Sequence, residues 1–387
     1  MLLYCEKLIF SNIPENIFDK RLTIVQYYIL IIDVLSCIIN IRVKKIFFPP
    51  VLIKSVQKQT LYRFRHLALT LKEEGYFMVF SHVPVMLNEC IDGLAIRSDG
   101  IYVDGTAGGA GHSSAIASRL GKNGRLISID RDPDAVAVAT ERLSPYSMAQ
   151  VVKNNYSNMR EVLDSLGIDK VDGVLLDLGV SSYQLDEGSR GFSYHADAPL
   201  DMRMEKEGIS ASDIVNTYSQ QELAKIIFEY GEEKFSRRIA ENIVKARAVS
   251  PVETTLQLAD IIRQSVPQKA RREKNPCKKT FQAIRIAVNG ELEHLSKGLD
   301  EAFYSLKTGG RLAVITFHSL EDRLVKQRFA GWCRGCICPP DFPQCVCGHK
   351  PQGVLVNRKP IEADEKELEE NKRSRSARLR IIERGAE

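Results

Sequence analysis

Two acids and a glycine-rich turn carry the chemistry legible in this chain. Asp104 opens the run Asp104-Gly-Thr-Ala-Gly-Gly-Ala-Gly-His-Ser113, and Asp130 closes Gly124-Arg-Leu-Ile-Ser-Ile-Asp130. Gly100-Ile-Tyr-Val103 reads as a short buried strand and Ser113–Leu120 as a helix. Glycine has no Cβ and tolerates positive φ, so such a turn lets a ligand approach the backbone at a helix N-terminus. An acid at the tip of the next strand, about 20 residues on, is placed to bind ribose hydroxyls. A dinucleotide turn is spaced G-x-G-x-x-G. Here the spacing is Gly105-x-x-Gly108-x-x-Gly111, and Asp104 beside it would repel a pyrophosphate. The acid suits a cationic ligand instead, such as the amino and sulfonium groups of S-adenosyl-L-methionine.

The elements that must hold these residues alternate. Val83–Leu94 has helical apolar spacing after an early proline, and Ala135–Leu143 is a predicted helix. Val151–Asn158 is a strand running into a loop that carries Tyr156, and Val171–Ser182 is a buried strand whose acid is Asp177. Open parallel sheets bind ligands beyond the carboxyl ends of their strands. Asp104, Asp130, Tyr156 and Asp177 are therefore expected along one edge. Tyr156 could stack on an adenine ring; a half-buried loop aromatic is the plainer alternative.

Asn289–Leu306 reads as a helix closed by Thr308-Gly-Gly310, and Arg311–Phe317 as the next strand. His318 at its end could orient a substrate or cap the following helix. Asn357–Ala363 reads as a strand, Asp364–Asn371 as a helix and Ala377–Glu383 as the last strand. Between residues 187 and 288 the alternation stops and helix signals dominate. Ser219-Gln-Gln-Glu222 and Ser250-Pro-Val-Glu253 are both spaced as capping boxes. The expected division is an extension over 1–77, a first core half over 78–186, a helical insertion over 187–288 serving RNA recognition, and a second core half over 289–387.

Composition is that of an ordinary globular chain: 44% hydrophobic, 27% charged, formal net charge +5. Nucleic-acid binding must then rest on local clusters. One comprises Lys269, Arg271, Arg272, Lys274, Lys278 and Lys279; another comprises Lys372, Arg373, Arg375, Arg378 and Arg380. Nine cysteines do not form a secreted disulfide framework, since five crowd between Cys333 and Cys347. A reducing cytoplasm follows. Cys333-x-x-Cys336-x-Cys338 with Cys345-x-Cys347 invites a zinc reading, but the spacing is unusual for a zinc ribbon. Reduced structural thiols, with no metal, are the expectation. The apolar run Ile24–Ile41 is interrupted by Gln26, Asp33 and Asn40, which disfavours a membrane span. Met78 looks like a translation start, and residues 1–77 like an over-extended reading frame.

The motifs then converge. His82-Val-Pro-Val-Met-Leu, the turn 104–113, Asp177-Leu-Gly-Val-Ser-Ser-Tyr-Gln-Leu-Asp186 and Arg190-Gly-Phe-Ser-Tyr194 run in order with Pro199-Leu-Asp-Met-Arg-Met204. Thr280–Leu292, Phe317-His-Ser-Leu-Glu-Asp-Arg-Leu-Val-Lys326 and Arg373-Ser-Arg-Ser-Ala-Arg-Leu-Arg380 follow. In these stretches the chain resembles the bacterial ribosomal RNA small subunit methyltransferase H family, from about residue 78 to the C-terminus. The resemblance implies an α/β class I S-adenosylmethionine methyltransferase (Rossmann-like) core with an inserted helical subdomain. It also implies methyl transfer to N4 of a cytidine in the decoding region of 16S rRNA. The cofactor residues it implies are Ala110, Gly111, His112, Asp130, Tyr156, Asp177 and Gln184. Ala110 departs from the usual glycine; its methyl disfavours positive φ and is tolerated if the residue sits in a right-handed conformation. Asp177 or a backbone carbonyl just after it is the candidate acceptor for the N4 amine, the usual Pro-Pro-aromatic motif being absent.

The implied partner is 16S rRNA or the small ribosomal subunit, in the cytoplasm and with no membrane; a homodimer is allowed. Rival readings are a nicotinamide dehydrogenase, a methyltransferase on another RNA or a small-molecule acceptor, and a non-catalytic RNA-binding assembly protein.

Overall fold

The computed structural model describes residues 84–181, 184, 185, 187–273, 275–336, 338, 339, 344 and 346–386. The extension 1–77 with its Ile24–Ile41 run, and the expected start at Met78, lie outside the described residues. So do His82, Ser182, Tyr183, Asp186, Lys274 and Cys345.

Helices and strands alternate through α1 (Leu87–Leu94), β1 (Ile101–Asp104), α2 (Gly111–Ala117), β2 (Arg125–Asp130) and α3 (Pro133–Leu143). They continue through β3 (Ala149–Lys153), α4 (Met159–Ser165) and β4 (Val171–Asp177). A run of helices follows: α5 (Ala211–Thr217), α6 (Gln220–Glu229), α7 (Ser236–Arg247), α8 (Thr255–Ser265), α9 (Gln268–Glu273) and α10 (Cys277–Asn289). The chain then closes with α11 (Glu291–Tyr304), β5 (Leu306–Thr316), α12 (Ser319–Trp332), β6 (Gly353–Leu355), α13 (Glu365–Glu370) and β7 (Arg378–Arg384).

Among the described residues one seven-stranded sheet has the order β3-β2-β1-β4-β5-β7-β6. The first five strands pair in parallel, and β7 runs antiparallel between β5 and β6. β4 reads Val-Asp-Gly-Val-Leu-Leu-Asp because both its faces are covered, so its apolar run need not alternate. Val174 and Leu176 point into one layer, with Leu163, Leu299, Phe303 and Phe329 of α4, α11 and α12. Leu175 points into the other, with Leu94, Ile116 and Leu143 of α1, α2 and α3. Strand order reverses between β1 and β4, which opens a crevice at their carboxyl ends. A third apolar cluster joins Phe192, Leu200 and Met202 to Leu223, Ile239, Leu258 and Phe281 within the helical run.

Several sequence expectations change. Ser219 does cap α6, with Glu222 bonding back reciprocally. The box expected at Ser250 does not form; α8 is capped instead by Thr254 with Gln257. The segment before it is held extended, since Val252 N donates to Asn216 Oδ1 at 2.9 Å and Thr254 bridges Pro199. The helix expected from Asn289 breaks at Gly290, whose φ is 56°, separating α10 from α11. The strand expected over Asn357–Ala363 forms earlier, as β6. Asn357 explains this: its side chain donates to Leu379 O at 3.0 Å and accepts from Ile381 N at 2.7 Å. It thereby takes β7 backbone groups that a longer strand would have used. Ile361 keeps a single bridge to Leu379.

Candidate active site

β1 delivers the glycine turn to the crevice. Gly105 N donates to Leu175 O of β4 at 2.9 Å, and Ala107 N to Ile129 O of β2 at 3.0 Å, so the turn is stitched to both neighbours. Gly108 has φ 48°, a conformation glycine adopts without strain. A Cβ on Gly111 would lie 2.3 Å from Pro84 Cγ, so glycine is required there by close approach. Ala110 has φ 57° and ψ 29°. The condition for easy tolerance, a right-handed conformation, is therefore not met: its Cβ is carried in the left-handed region, at a cost of about 1 kcal/mol relative to glycine.

Asp104 is buried, with 1% exposure. Its carboxylate accepts from Ser113 Oγ at 2.6 Å and from Thr106 N at 3.1 Å. The acid expected to meet a cation thus anchors the first turn of α2 to the end of β1.

Asp130 accepts from Gly108 N at 2.7 Å through one oxygen and from Asp132 N at 2.9 Å through the other. The strand-end acid and the glycine turn are thereby one unit. Burial pushes its carboxyl up to about 6, against the pull of those two backbone donors.

Asp177 closes β4. Its N–H donates to Thr106 Oγ1 at 2.7 Å, and its Oδ2 lies 3.7 Å from His112 Nδ1. His112 is held from its other side, with Nε2 3.0 Å from Val85 O. Burial raises the Asp177 carboxyl to about 6; His112 opposes the rise, and Asp104 and Glu321 add to it. Asp177 Oδ1 is buried without a hydrogen-bond partner among the described residues.

Gln184 is buried, and both ends of its amide are engaged. Its Oε1 accepts from Ser181 N at 2.9 Å and its Nε2 donates to Asp132 Oδ2 at 2.7 Å. Asp132 caps α3 by accepting from Asp134 N, and also pairs with Arg190 at 3.1 Å. Arg190, 9% exposed at its side chain, reaches Asp134 at 3.0 Å as well. Sequence reasoning does not single out Asp132 or Arg190 for a role. The available signal is the Asp-Pro start of α3, which marks a capped helix and nothing more.

Tyr156 is half-buried against the core beneath β4. A Cβ on Gly298 of α11 would lie 2.3 Å from its ring, so that glycine makes room for it. Burial pushes the phenol above its ordinary value. The adjacent Ser157 Oγ meets His294 Nδ1 at 3.0 Å.

His318 caps α12, its ring accepting from Glu321 N at 3.3 Å, and Glu321 bonds back to His318 N at 3.1 Å. The capping alternative therefore describes it. Burial pushes Glu321 up, but the hydrogen bond and charge of His318, with Arg285, outweigh that and hold it below the usual range. Arg285 in turn pairs with Glu291 at 2.7 Å. This network closes the end of β5 beside Tyr156 and Asp177. Of the two basic clusters, Lys269, Arg271, Arg272 and Lys278 are exposed on the helical run. Arg378 and Arg380 are instead paired with Asp322, at 3.3 and 2.7 Å.

The sheet order, its antiparallel β7, and a glycine turn with strand-end acids at the β1/β4 crevice define a class I methyltransferase fold. A model described as the MraW methylase family matches residues 79–385, and the chain belongs to that family. It is 55% identical over 313 residues to the ribosomal RNA small subunit methyltransferase H of Lachnospira eligens, covering 80% of this chain and 99% of that protein. A Clostridium botulinum protein of the same name is 54% identical over 305 residues, covering 79% and 99%. Among solved structures, an rRNA methylase from Streptococcus thermophilus aligns with TM-score 0.36 at 10% identity, covering 79% of this chain and 100% of that one. The fold assignment rests on the sheet order rather than on that likeness.

Proposed function

We propose that this protein transfers a methyl group from S-adenosyl-L-methionine to N4 of a cytidine in the decoding region of 16S rRNA. It acts in the cytoplasm on the small ribosomal subunit or its RNA. The observation that carries this is the 55% identity spanning 99% of a relative named as a small subunit rRNA methyltransferase. The crevice is compatible with it. Each Asp130 oxygen accepts one backbone N–H and keeps a lone pair for a ribose hydroxyl. The turn Ala110-Gly111-His112 would lie along the amino-acid end, with Tyr156 and Gln184 bounding the base.

When bound, S-adenosyl-L-methionine supplies an already activated sulfonium methyl. The cytosine amine is a weak nucleophile, because its lone pair is delocalised into the ring. Asp177 Oδ1, buried and lacking a donor among the described residues, would accept an N4–H and turn the lone pair out of conjugation. Holding two reactants in line is worth up to roughly 7–11 kcal/mol in well-oriented systems. Methylation leaves an extra proton on N4, and Asp177, pushed up to about 6, can take it and pass it to water.

The cytidine must leave any stack to reach this crevice. The helical run α5–α10 would hold the surrounding RNA, with Lys269, Arg271, Arg272 and Lys278 on phosphates, which position without reading sequence. The test offers the full chain labelled cofactor with small subunits lacking the modification, and with naked 16S rRNA in parallel. N4-methylcytidine in the nucleoside digest is expected; tight cofactor binding without transfer to either substrate would overturn the assignment of the acceptor.

A further inference from the structure

The connection from α12 to β6 carries a cysteine cluster that methyl transfer does not use. The Sγ atoms of Cys336, Cys338 and Cys347 all lie within 4.8 Å of one another. Cys336 and Cys347 have their sulfurs 3.8 Å apart, well beyond the S–S bond of about 2.0 Å in a disulfide. A tetrahedron of thiolates at a zinc–sulfur distance of about 2.3 Å has sulfur–sulfur edges of about 3.8 Å. The spacing is thus that of two ligands on one metal.

Two further contacts fit. Cys338 N donates to Cys336 Sγ at 3.4 Å, so the C-x-C backbone wraps its own sulfur and supports negative charge on it. His349 turns Nδ1 onto Gly335 O at 2.6 Å, drawing the two arms of the loop together. At the loop base, Gln352 N donates to Trp332 O at 2.8 Å. Cys333 stands apart: it packs against the core beneath the sheet, and burial raises its thiol.

We propose that Cys336, Cys338 and Cys347 bind a structural zinc ion that cross-links the two arms of the loop between α12 and β6. Soft thiolate ligands select zinc among the common divalent ions. Each ligating thiol gives up its proton to solvent as the ion binds. The fourth position falls to His349, whose Nδ1 is held by Gly335 O and whose Nε2 is turned away from that contact, or to a water molecule. The expectation of metal-free thiols rested on the unusual spacing alone; the proposal rests on the convergence of three sulfurs. A zinc ribbon is not needed, since three thiols already converge and one more donor completes the set.

The test uses the full chain, purified under reducing conditions from cells supplied with zinc. Elemental analysis and native mass spectrometry are expected to find one zinc ion per chain. Replacement by cobalt(II) is expected to give sulfur-to-metal charge-transfer absorption and the intense visible bands of a tetrahedral site. Cys336→Ser and Cys347→Ser lose the ion, whereas Cys277→Ala, buried among the helices of the insertion, keeps it. His349→Ala tests the fourth ligand: a changed cobalt spectrum assigns it to the ring, and an unchanged one to water. The cobalt readout uses the unmutated protein and does not depend on the variants folding. Zinc well below one per chain after reconstitution, a weak six-coordinate cobalt spectrum, or a native Cys336–Cys347 disulfide in peptide maps would each overturn the proposal.

Discussion

His112 links the end of β4 to the turn before α1: its Nδ1 lies 3.7 Å from Asp177 Oδ2 while its Nε2 lies 3.0 Å from Val85 O. A carbonyl can only accept, so Nε2 carries the hydrogen and Nδ1 faces the carboxylate. In its charged form, with Nδ1 protonated as well, the ring opposes the rise to about 6 that burial imposes on the Asp177 carboxyl. His112→Gln is therefore expected to move the acid limb of methyl transfer to higher pH. Single-turnover rates between about pH 5 and 8 read this directly. An unmoved limb would mean that the two groups do not communicate.

Asp177→Asn is expected to slow transfer by roughly 10²-fold and to flatten that limb. Asp130→Asn should instead raise the Kd for S-adenosyl-L-methionine, with a smaller effect on the rate at saturation. Calorimetry with each variant separates the two acids, although burial pushes both carboxyls up to about 6. If both variants lost affinity alike and neither lost rate, Asp177 would belong to cofactor binding alone.

Stability follows the opposite sign to activity. Asp130 and Asp177 have folded values near 6, above the usual 3.8, so protonation stabilises the ligand-free fold. That contribution is full below about pH 4 and is lost as pH rises through about 6. The Asp130→Asn, Asp177→Asn double variant should show a shallower fall in Tm than the parent across this window. Equal slopes would refute the linkage.

Ala110→Gly removes a Cβ from a left-handed residue at φ 57°. A gain of about 1 kcal/mol is expected in denaturant titrations, offset in part by the extra freedom of glycine when unfolded. Gly298→Ala works the other way. Its new Cβ would meet the Tyr156 ring at 2.3 Å, which predicts a loss of about 1–3 kcal/mol and a displaced ring. A crystal structure of that variant with an unmoved Tyr156 would show that α11 yields instead.

Replacing Lys269, Arg271 and Arg272 by alanine should weaken RNA binding and flatten its salt dependence. The log–log slope falls by about 0.7 to 0.9 for each phosphate that is no longer neutralised. Unchanged slopes would assign the cluster to a solvated surface.

Local properties decided much of this protein in advance. The alternation of strands and helices, the carboxyl-edge position of Asp130 and Asp177, and the capped start of α6 follow from hydrophobic period, chain spacing and side chains that bond within one turn. These depend on neighbours a few residues away, and a sequence displays them. Competition between distant groups does not appear there. Asp104 is taken by Ser113 once α2 folds back on β1. Ala110 is left-handed because the turn is stitched to β2 and β4. β6 forms early because Asn357 holds the β7 backbone. Asp322 draws Arg378 and Arg380 out of a basic cluster. The three cysteines are separated by a loop along the chain and come together only where α12 and β6 pin its ends. In each case a polar group has several partners within reach, and burial and distance in the folded chain choose among them.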